Sequence, residues 1–175
     1  MTEILSLGKS QYLGDINYIR HIDGLVASAL TADPSEISND AIHYHENPII
    51  SFILQGDSVE RINHQRNLRS AGDIRFYRAG DLHQVKIKRF PSRNINFELE
   101  NDFLIQSGFS EETISRAIEK NPNIRLSFLR AYKEFSADDA FSDTSIRILL
   151  FNLIGAGETI ASRKSLRGYR RFTNY

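Results

Sequence analysis

Apolar and polar residues alternate with a period of two along much of the first hundred residues, a pattern that predicts β-strands. Runs of this kind, or short β-branched runs, cover residues 25–31, 49–54, 74–77 and 95–99. Turn-forming residues such as glycine, aspartate and proline lie at their ends, as is typical of strands. We therefore expect about eight short strands, a number that suits a closed barrel or a double sheet.

Several strand boundaries can be predicted from local sequence. Residues 58–68 indicate a hairpin that turns near residues 63–66. The strand at residues 25–31 is expected to end at Asp33-Pro34-Ser35, because proline donates no ladder hydrogen bond. A strand at residues 85–88 should be followed by a turn at residues 91–94. Residues 1–23 are interpreted as an N-terminal arm containing one short strand.

The pattern changes to a helical period after Glu100. Ser110 followed by two glutamates indicates the start of a helix that ends before Pro122, and a second helix is expected from Asn123. A third is predicted from Thr144 to about Ile154, ended by Gly155 and Gly157. The fold class expected is a mainly β barrel, residues 1–100, followed by a helical segment of two to three helices, residues 101–175.

The third predicted helix is apolar around most of its circumference. Its apolar positions are Ile146, Ile148, Leu149, Leu150, Phe151, Leu153 and Ile154. A helix of this kind is usually buried. It is expected either to pack on the outer wall of the barrel or to form a subunit interface, and we expect a homodimer through the C-terminal helices.

Charge and composition restrict the classes of partner. The chain of 175 residues has no net charge, but residues 163–175 carry five basic and no acidic side chains. The preceding part is therefore acidic, unlike a typical nucleic-acid-binding domain. There is no cysteine, no long apolar run and no signal-peptide pattern, so a cytoplasmic protein without a membrane segment is expected. The basic tail is interpreted as a solvated linker end or as a contact for phosphates or an acidic partner.

Three histidines are the main candidates for chemistry. His43 and His45 are separated by one residue, so on a strand they share a face, and His83 follows a Gly80-Asp81 turn at the start of another strand. Three imidazoles from two strands could meet inside a barrel. Glu46 should face away from them. His21 and His64 are expected at the surface or in turns, and Glu60 and Arg78 at solvated strand ends.

The spacing of these residues resembles the cupin family. Its first motif, G-x5-HxH-x3,4-E-x6-G, is matched by His43, His45 and Gly56, and its second, G-x5-PxG-x2-H-x3-N, by Gly72, Gly80 and His83. The chain departs from the pattern at four positions. The metal-binding glutamate of the motif falls on Ile49 or Ile50, its proline on Arg78 and its asparagine on Ile87, and the leading glycine has no counterpart. The resemblance implies a double-stranded β-helix, or jelly roll.

The strings HxHENPxxSFxLxG and GDxxFYxAGxxHQ are most similar to the sensor domain of AraC-type transcription regulators, and the resemblance covers about residues 24–97. It implies a domain that binds a small-molecule effector and dimerises. Contact with DNA would be made only through a helix-turn-helix domain absent from this sequence. An N-terminal arm that responds to ligand, with Tyr12 and Tyr18 as its contacts, is also implied.

Three roles remain open for the histidines. They could bind a hydroxylated or acidic ligand by hydrogen bonds, or be satisfied by backbone partners without any ligand. As a third role, His43, His45 and His83 could hold a divalent transition metal. The expected ligand-binding residues are His43, His45, His83, Phe76 and Tyr12, with no catalytic residue and no cofactor. The alternative function is a metal-dependent cupin enzyme of the dioxygenase or sugar isomerase type, and a third is a pure oligomerisation module.

Overall fold

The structure is a computed structural model that describes residues 4–32 and 41–169, with side chains to residue 155. Eight strands lie in the described residues: β1 (Ile4–Leu7), β2 (Asp15–Ile22), β3 (Leu25–Ala32), β4 (Ile42–His45), β5 (Ile49–Ile62), β6 (Gln65–Ser70), β7 (Ile74–Tyr77) and β8 (His83–Leu99). Four helices follow them: α1 (Asn101–Ser107), α2 (Glu111–Lys120), α3 (Ile124–Ala137) and α4 (Ser142–Tyr169). The chain divides into two compact units, Met1–Gln106 and Ser107–Tyr175.

The β unit consists of two layers connected by two long strands. One layer contains β2, β3, the second half of β8, the first half of β5 and β7, side by side. The other contains β6, the second half of β5, the first half of β8, β4 and β1. Strands β5 and β8 pair with each other in both layers. The β unit is thus a mainly β, cupin-like barrel of the jelly-roll kind, as predicted.

Both long strands pass from one layer to the other at an irregularity in their pairing. Gln55 pairs with Arg93 and Asp57 with Arg89, so that Gly56 alone lies opposite residues 90–92. Gly56 has a φ of +92°, and a Cβ built on it would lie 2.7 Å from the Arg89 carbonyl oxygen. Only glycine allows the two backbones to approach so closely at this φ. The bulge bends the sheet while the ladder continues on both sides.

The predicted turn at residues 91–94 is therefore wrong, because these residues lie within the single strand β8. Pro91, whose bond to Phe90 is cis, is accommodated because it lies in the bulge opposite Gly56, where no regular ladder hydrogen bond is required of it. Proline in a continuous strand is uncommon, and for that reason the sequence favoured a turn. Residues 85–88 and 95–99, predicted as separate strands, are the two halves of β8.

The other strand predictions have different outcomes. The hairpin over residues 58–68 is confirmed: β5 and β6 are joined at Asn63 and His64, which both have positive φ, as a two-residue hairpin turn requires. The N-terminal arm contains two strands, β1 and β2, where one was expected. The predicted strand end at Asp33-Pro34-Ser35 lies outside the described residues.

The helical unit has its own apolar core. Ser110 is the N-cap of helix α2, and its hydroxyl accepts a hydrogen bond from the Thr113 backbone N–H. Helix α4 packs against α2 and α3. The buried side chains of the unit include Ile114, Phe128, Phe135, Ile146, Leu150 and Ile154.

Two details of the helices differ from the predictions. A short helix, α1, comes directly after β8, and α4 runs on to Tyr169 instead of ending at Gly155 and Gly157. Each glycine inside a helix costs only about 1 kcal/mol. Two glycines are therefore weaker evidence for a helix end than the prediction assumed. The basic side chains after residue 162 lie outside the described side chains. In the part of the chain that is described, no helix has the length and apolar character needed to cross a membrane.

Candidate functional site

A cavity of about 110 Å³ lies between the two layers of the β unit. Both long strands line it, and the bulge explains how. Before the bend β5 contributes odd-numbered residues, Ile49, Ser51 and Ile53, and after it Ser58. Strand β8 likewise changes from His83, Val85 and Ile87 to Ser92, Asn94 and Asn96. The shift in register thus keeps inward positions on the cavity side in both layers.

The three predicted histidines meet in this cavity. His43 and His45 lie on β4, and His43 is the register partner of His83 at the first residue of β8. Their ring centroids are 4.1 Å apart for His43 and His83, 5.4 Å for His43 and His45, and 5.5 Å for His45 and His83. One ring nitrogen of each lies within 4.8 Å of the others. All three side chains are buried.

Two of the rings are oriented by backbone carbonyl groups. The Nδ1 of His43 lies 3.1 Å from the Ala41 carbonyl oxygen, and the Nδ1 of His83 lies 2.9 Å from that of Asp81. Since a carbonyl oxygen only accepts, Nδ1 carries the proton in both rings, which leaves Nε2 with a lone pair. This is the arrangement in which an imidazole ligates a metal or accepts a hydrogen bond from a ligand.

Burial keeps the three imidazoles uncharged. Burial, together with the charge that His83 would carry, lowers the pKa of His43 to about 4. Burial also lowers the pKa of His45 to about 3, with contributions from both neighbouring histidines, and lowers the pKa of His83. Desolvation and mutual repulsion of imidazolium ions both act in this direction. The cluster is therefore neutral at neutral pH.

No carboxylate completes the cluster among the described lining residues. Ile49 lines the cavity where the cupin motif has its glutamate, and Ile50 is fully buried. Glu46 is exposed and accepts a hydrogen bond from the Ser6 hydroxyl at 2.9 Å, so the prediction that it faces away is confirmed. Three neutral imidazoles fit a transition metal that keeps open positions for other ligands.

The N-terminal segment forms part of the cavity wall. Tyr12 lines the cavity and its ring lies 6.1 Å from that of His45. Its hydroxyl donates to Glu98 at 2.9 Å, and the Ser10 backbone N–H donates to the same carboxylate oxygen at 3.0 Å. The other oxygen accepts from Asn47 Nδ2 at 2.7 Å. A single buried carboxylate thus ties the segment to the barrel, and burial raises the pKa of Tyr12.

Strand β7 brings Tyr77, and not the predicted Phe76, to the cavity. Tyr77 is buried among the lining residues, and its ring stacks on that of His83 at 4.2 Å with an interplanar angle of 19°. Phe76, the next residue along a strand, lies on the opposite face and is not part of the lining. Sequence alone could not decide between two adjacent aromatic residues, because the choice depends on the register of β7 with β5.

A buried charged cluster next to the cavity was missed. Glu60 has no exposed surface, although a solvated strand end was predicted for it. Its Oε1 lies 3.5 Å from Arg69 Nη1, its Oε2 lies 3.0 Å from Arg75 Nε, and it accepts a hydrogen bond from the Tyr77 hydroxyl. Arg69 is buried and lines the cavity. After Gly56 the inward-facing positions of β5 change from odd-numbered to even-numbered residues, so that residue 60 points inward. This shift was the feature that could have indicated its burial.

The remaining histidines and Arg78 lie where they were expected. His21 on β2 and His64 in the hairpin turn are exposed, and so is Arg78. None of these three side chains belongs to the cavity lining. They provide surface positions of matched residue type for testing the roles of the buried histidines and of Arg69.

The barrel and its buried histidine cluster define a cupin-like fold with a candidate site for a metal or a small molecule. No family model matches the chain, and no curated protein matches it. Similar solved structures include KdgF from Halomonas sp., with 22% identity over 49% of this chain and 78% of that protein and a TM-score of 0.40. A cupin protein from Bacteroides fragilis has 18% identity over 45% of this chain and 67% of that protein, with a TM-score of 0.37. The EutQ protein of Clostridium difficile has 15% identity over 45% of this chain and 58% of that protein, with a TM-score of 0.36.

Proposed function

We propose that the β unit is the sensor domain of an AraC-type transcription regulator and binds a small-molecule effector between its two layers. The regulator would act in the cytoplasm, and its output would come from an attached helix-turn-helix domain. The observation that carries the proposal is the double role of Tyr12. This residue lines the cavity and also holds the N-terminal segment to Glu98. A ligand in the cavity therefore contacts the segment directly.

A population shift would transmit the signal. Ligand that binds better when Tyr12 and Ser10 are held by Glu98 favours the state with an ordered N-terminal segment. The free energy available is the difference in affinity between the two states, typically about 1–3 kcal/mol. The residues expected to bind the effector are Tyr12, His43, His45 and His83. The side chain of Phe76 lies outside the cavity and would act on it only through its neighbours.

Ligand binding is tested by a thermal-shift screen with sugars and small carboxylates. At a concentration 100-fold above Kd, a ligand stabilises the folded state by about 2.7 kcal/mol. For a chain of this length this raises Tm by roughly 5–10 °C. The His45→Ala variant should lose most of this shift, whereas His21→Ala, which changes an exposed histidine, should keep it. A screen in which no compound raises Tm contradicts the sensor proposal.

A metal-dependent cupin enzyme is the second candidate, and the convergence of three neutral imidazoles within 4.8 Å favours it. A metal held by His43, His45 and His83 would supply Lewis-acid or redox chemistry to a molecule in the cavity. Metal analysis of protein purified without chelator discriminates the candidates. A stoichiometric transition metal that His45→Ala loses and His21→Ala retains favours the enzyme. Metal-free protein that a small molecule stabilises favours the sensor.

We further infer that the helical unit pairs with a second copy of this chain. Helix α3 exposes Leu126 and Leu129, each 49% accessible, and α4 exposes Ile148 at 54%. Apolar side chains that remain exposed on one subunit can be buried by the same surface of another in a two-fold dimer. The side chains of Ile146 and Leu150 belong to the core of the unit itself.

The pairing predicts a dimer at micromolar concentration, as measured by light scattering. Replacing Ile148 with aspartate should yield monomers, because an interface cannot bury an unpaired carboxylate without a large cost. His64→Asp adds the same charge at an exposed position of the β5–β6 hairpin turn, outside the helical unit, and should leave the dimer intact. A monomeric parent protein would contradict the inference.

A further inference from the structure

Arg69 gives the cavity a cationic wall. It is the one residue with a formal charge among the described lining residues, since the histidines there are neutral. Its side chain is 5% exposed. Its Nη1 donates to the Tyr77 hydroxyl at 2.7 Å, and its Nη2 donates to the Ser51 carbonyl oxygen at 3.4 Å. These two contacts hold the guanidinium at the cavity.

The charged cluster around Arg69 carries an excess of one positive charge. Glu60 is its single carboxylate, and Arg69 and Arg75 are its two cations. Glu60 lies closer to Arg75, at 3.0 Å, than to Arg69, at 3.5 Å. Only Arg69 of the three lines the cavity. A molecule in the cavity therefore faces a cation that is incompletely compensated, in a region of low dielectric where charge interactions are strong.

Polar groups suited to hydroxyl or carbonyl oxygens line the same cavity. Asn94 Nδ2 donates to Asn96 Oδ1 at 3.1 Å, and this bond leaves the Asn94 Oδ1 and the Asn96 Nδ2 for other partners. The hydroxyls of Ser51 and Ser58 belong to buried residues that line the cavity. The cavity volume of about 110 Å³ is enough for several water molecules, because one water needs a cavity of roughly 10–15 Å³.

We propose that the ligand of this cavity is a small carboxylate bearing hydroxyl or carbonyl groups, with its carboxylate on Arg69 and its other oxygens on the asparagine pair. This inference rests on the proposed function, in that it names the class of effector. Arginine is suited to carboxylates because its planar fork can donate two parallel hydrogen bonds. The Tyr77 and Glu60 contacts act as a support that fixes the direction of this fork.

Matched acids and amides test the inference. Glycolate, lactate and glycerate are compared with glycolamide, lactamide and glyceramide, by calorimetric titration and thermal shift of the protein as purified, at constant ionic strength. Acids should bind at least about tenfold more tightly than their amides, because hydrogen bonds to a charged group are roughly twice as strong as neutral ones. Amides that bind as tightly as the acids overturn the inference and leave the proposed binding function intact. If neither these compounds nor the sugars bind, the binding function itself is contradicted.

Two variants of Arg69 separate recognition from folding. Arg69→Met should lower acid affinity at least about tenfold and leave amide affinity unchanged. The double variant Arg69→Met with Glu60→Gln also removes the buried carboxylate, which the single change leaves with Arg75 as its one remaining cation in the cluster, and it has the same formal cluster charge as the parent. It should show the same loss. Arg78→Met, at an exposed arginine outside the cavity, should bind acids as the parent does. An unchanged preference for acids in either Arg69 variant overturns the proposal.

Discussion

Replacing Glu60 with alanine is expected to lower the free energy of unfolding by about 3–5 kcal/mol, the usual cost of removing one partner from a buried ion pair. Glu60 has no exposed surface and lies between two arginines. Without it, the buried Arg69 keeps its charge but loses its carboxylate, and the Tyr77 hydroxyl loses its acceptor. Arg75, whose side chain is 33% exposed, can still reach water. The loss is measured by urea denaturation followed by circular dichroism.

Glu112→Ala is the control for this change. Glu112 forms an exposed pair with Arg116 one turn along α2, at 3.1 Å, and such pairs contribute only about 0.3–0.5 kcal/mol. The double variant Glu60→Met with Arg69→Met should cost less than the sum of the two single changes, because it leaves no unpaired charge between these two residues. Equal costs for Glu60→Ala and Glu112→Ala would show that the buried cluster does not stabilise the fold.

Replacing Gly56 with alanine is expected to cost roughly 3 kcal/mol or more, because it combines an unfavourable φ with a collision of backbones. The φ of +92° is rarely adopted by residues with a Cβ, and that atom would lie 2.7 Å from the Arg89 carbonyl oxygen and 2.9 Å from the Ser92 Cα. Both neighbours are backbone atoms of β8, and they cannot move without displacing the bulge. Urea denaturation measures this loss too.

Gly80→Ala provides a matched control with the same kind of backbone. Gly80 has a φ of +79°, but no atom lies within 4 Å of a Cβ built there. Its replacement should therefore cost only about 1 kcal/mol, from the φ alone. If the two alanine variants were equally stable, the close approach of β5 and β8 at Gly56 would not be what holds the bend.

Much of the β unit could be predicted because its signals are local. The hairpin between β5 and β6 follows from two β runs separated by polar turn residues, and Asn63 and His64 adopt the positive φ that the turn needs. The common orientation of His43 and His45 follows from the period of a strand. The turn before His83 placed it at the start of β8. These inferences need no knowledge of distant contacts.

The parts that could not be predicted depend on pairing between distant residues. Whether residues 91–94 form a turn or continue a strand depends on Gly56, more than thirty positions away, because the bulge in β8 forms against it. The inward position of Glu60 depends on the same shift. Its burial also requires Arg69 and Arg75 on two other strands, and a single sequence does not show which charges will meet.

The sharing of β5 and β8 by both layers determines how a molecule can enter the barrel. Opposite sides of the enclosure are built from the same two strands, which stay paired through the bend. At the bend the two layers cannot separate unless that ladder breaks. A molecule is therefore expected to enter away from the bend, where no ladder joins the layers in the described residues. The segment carrying Tyr12 covers part of the cavity there, and two hydrogen bonds to Glu98, from the Ser10 backbone N–H and the Tyr12 hydroxyl, fasten it in place.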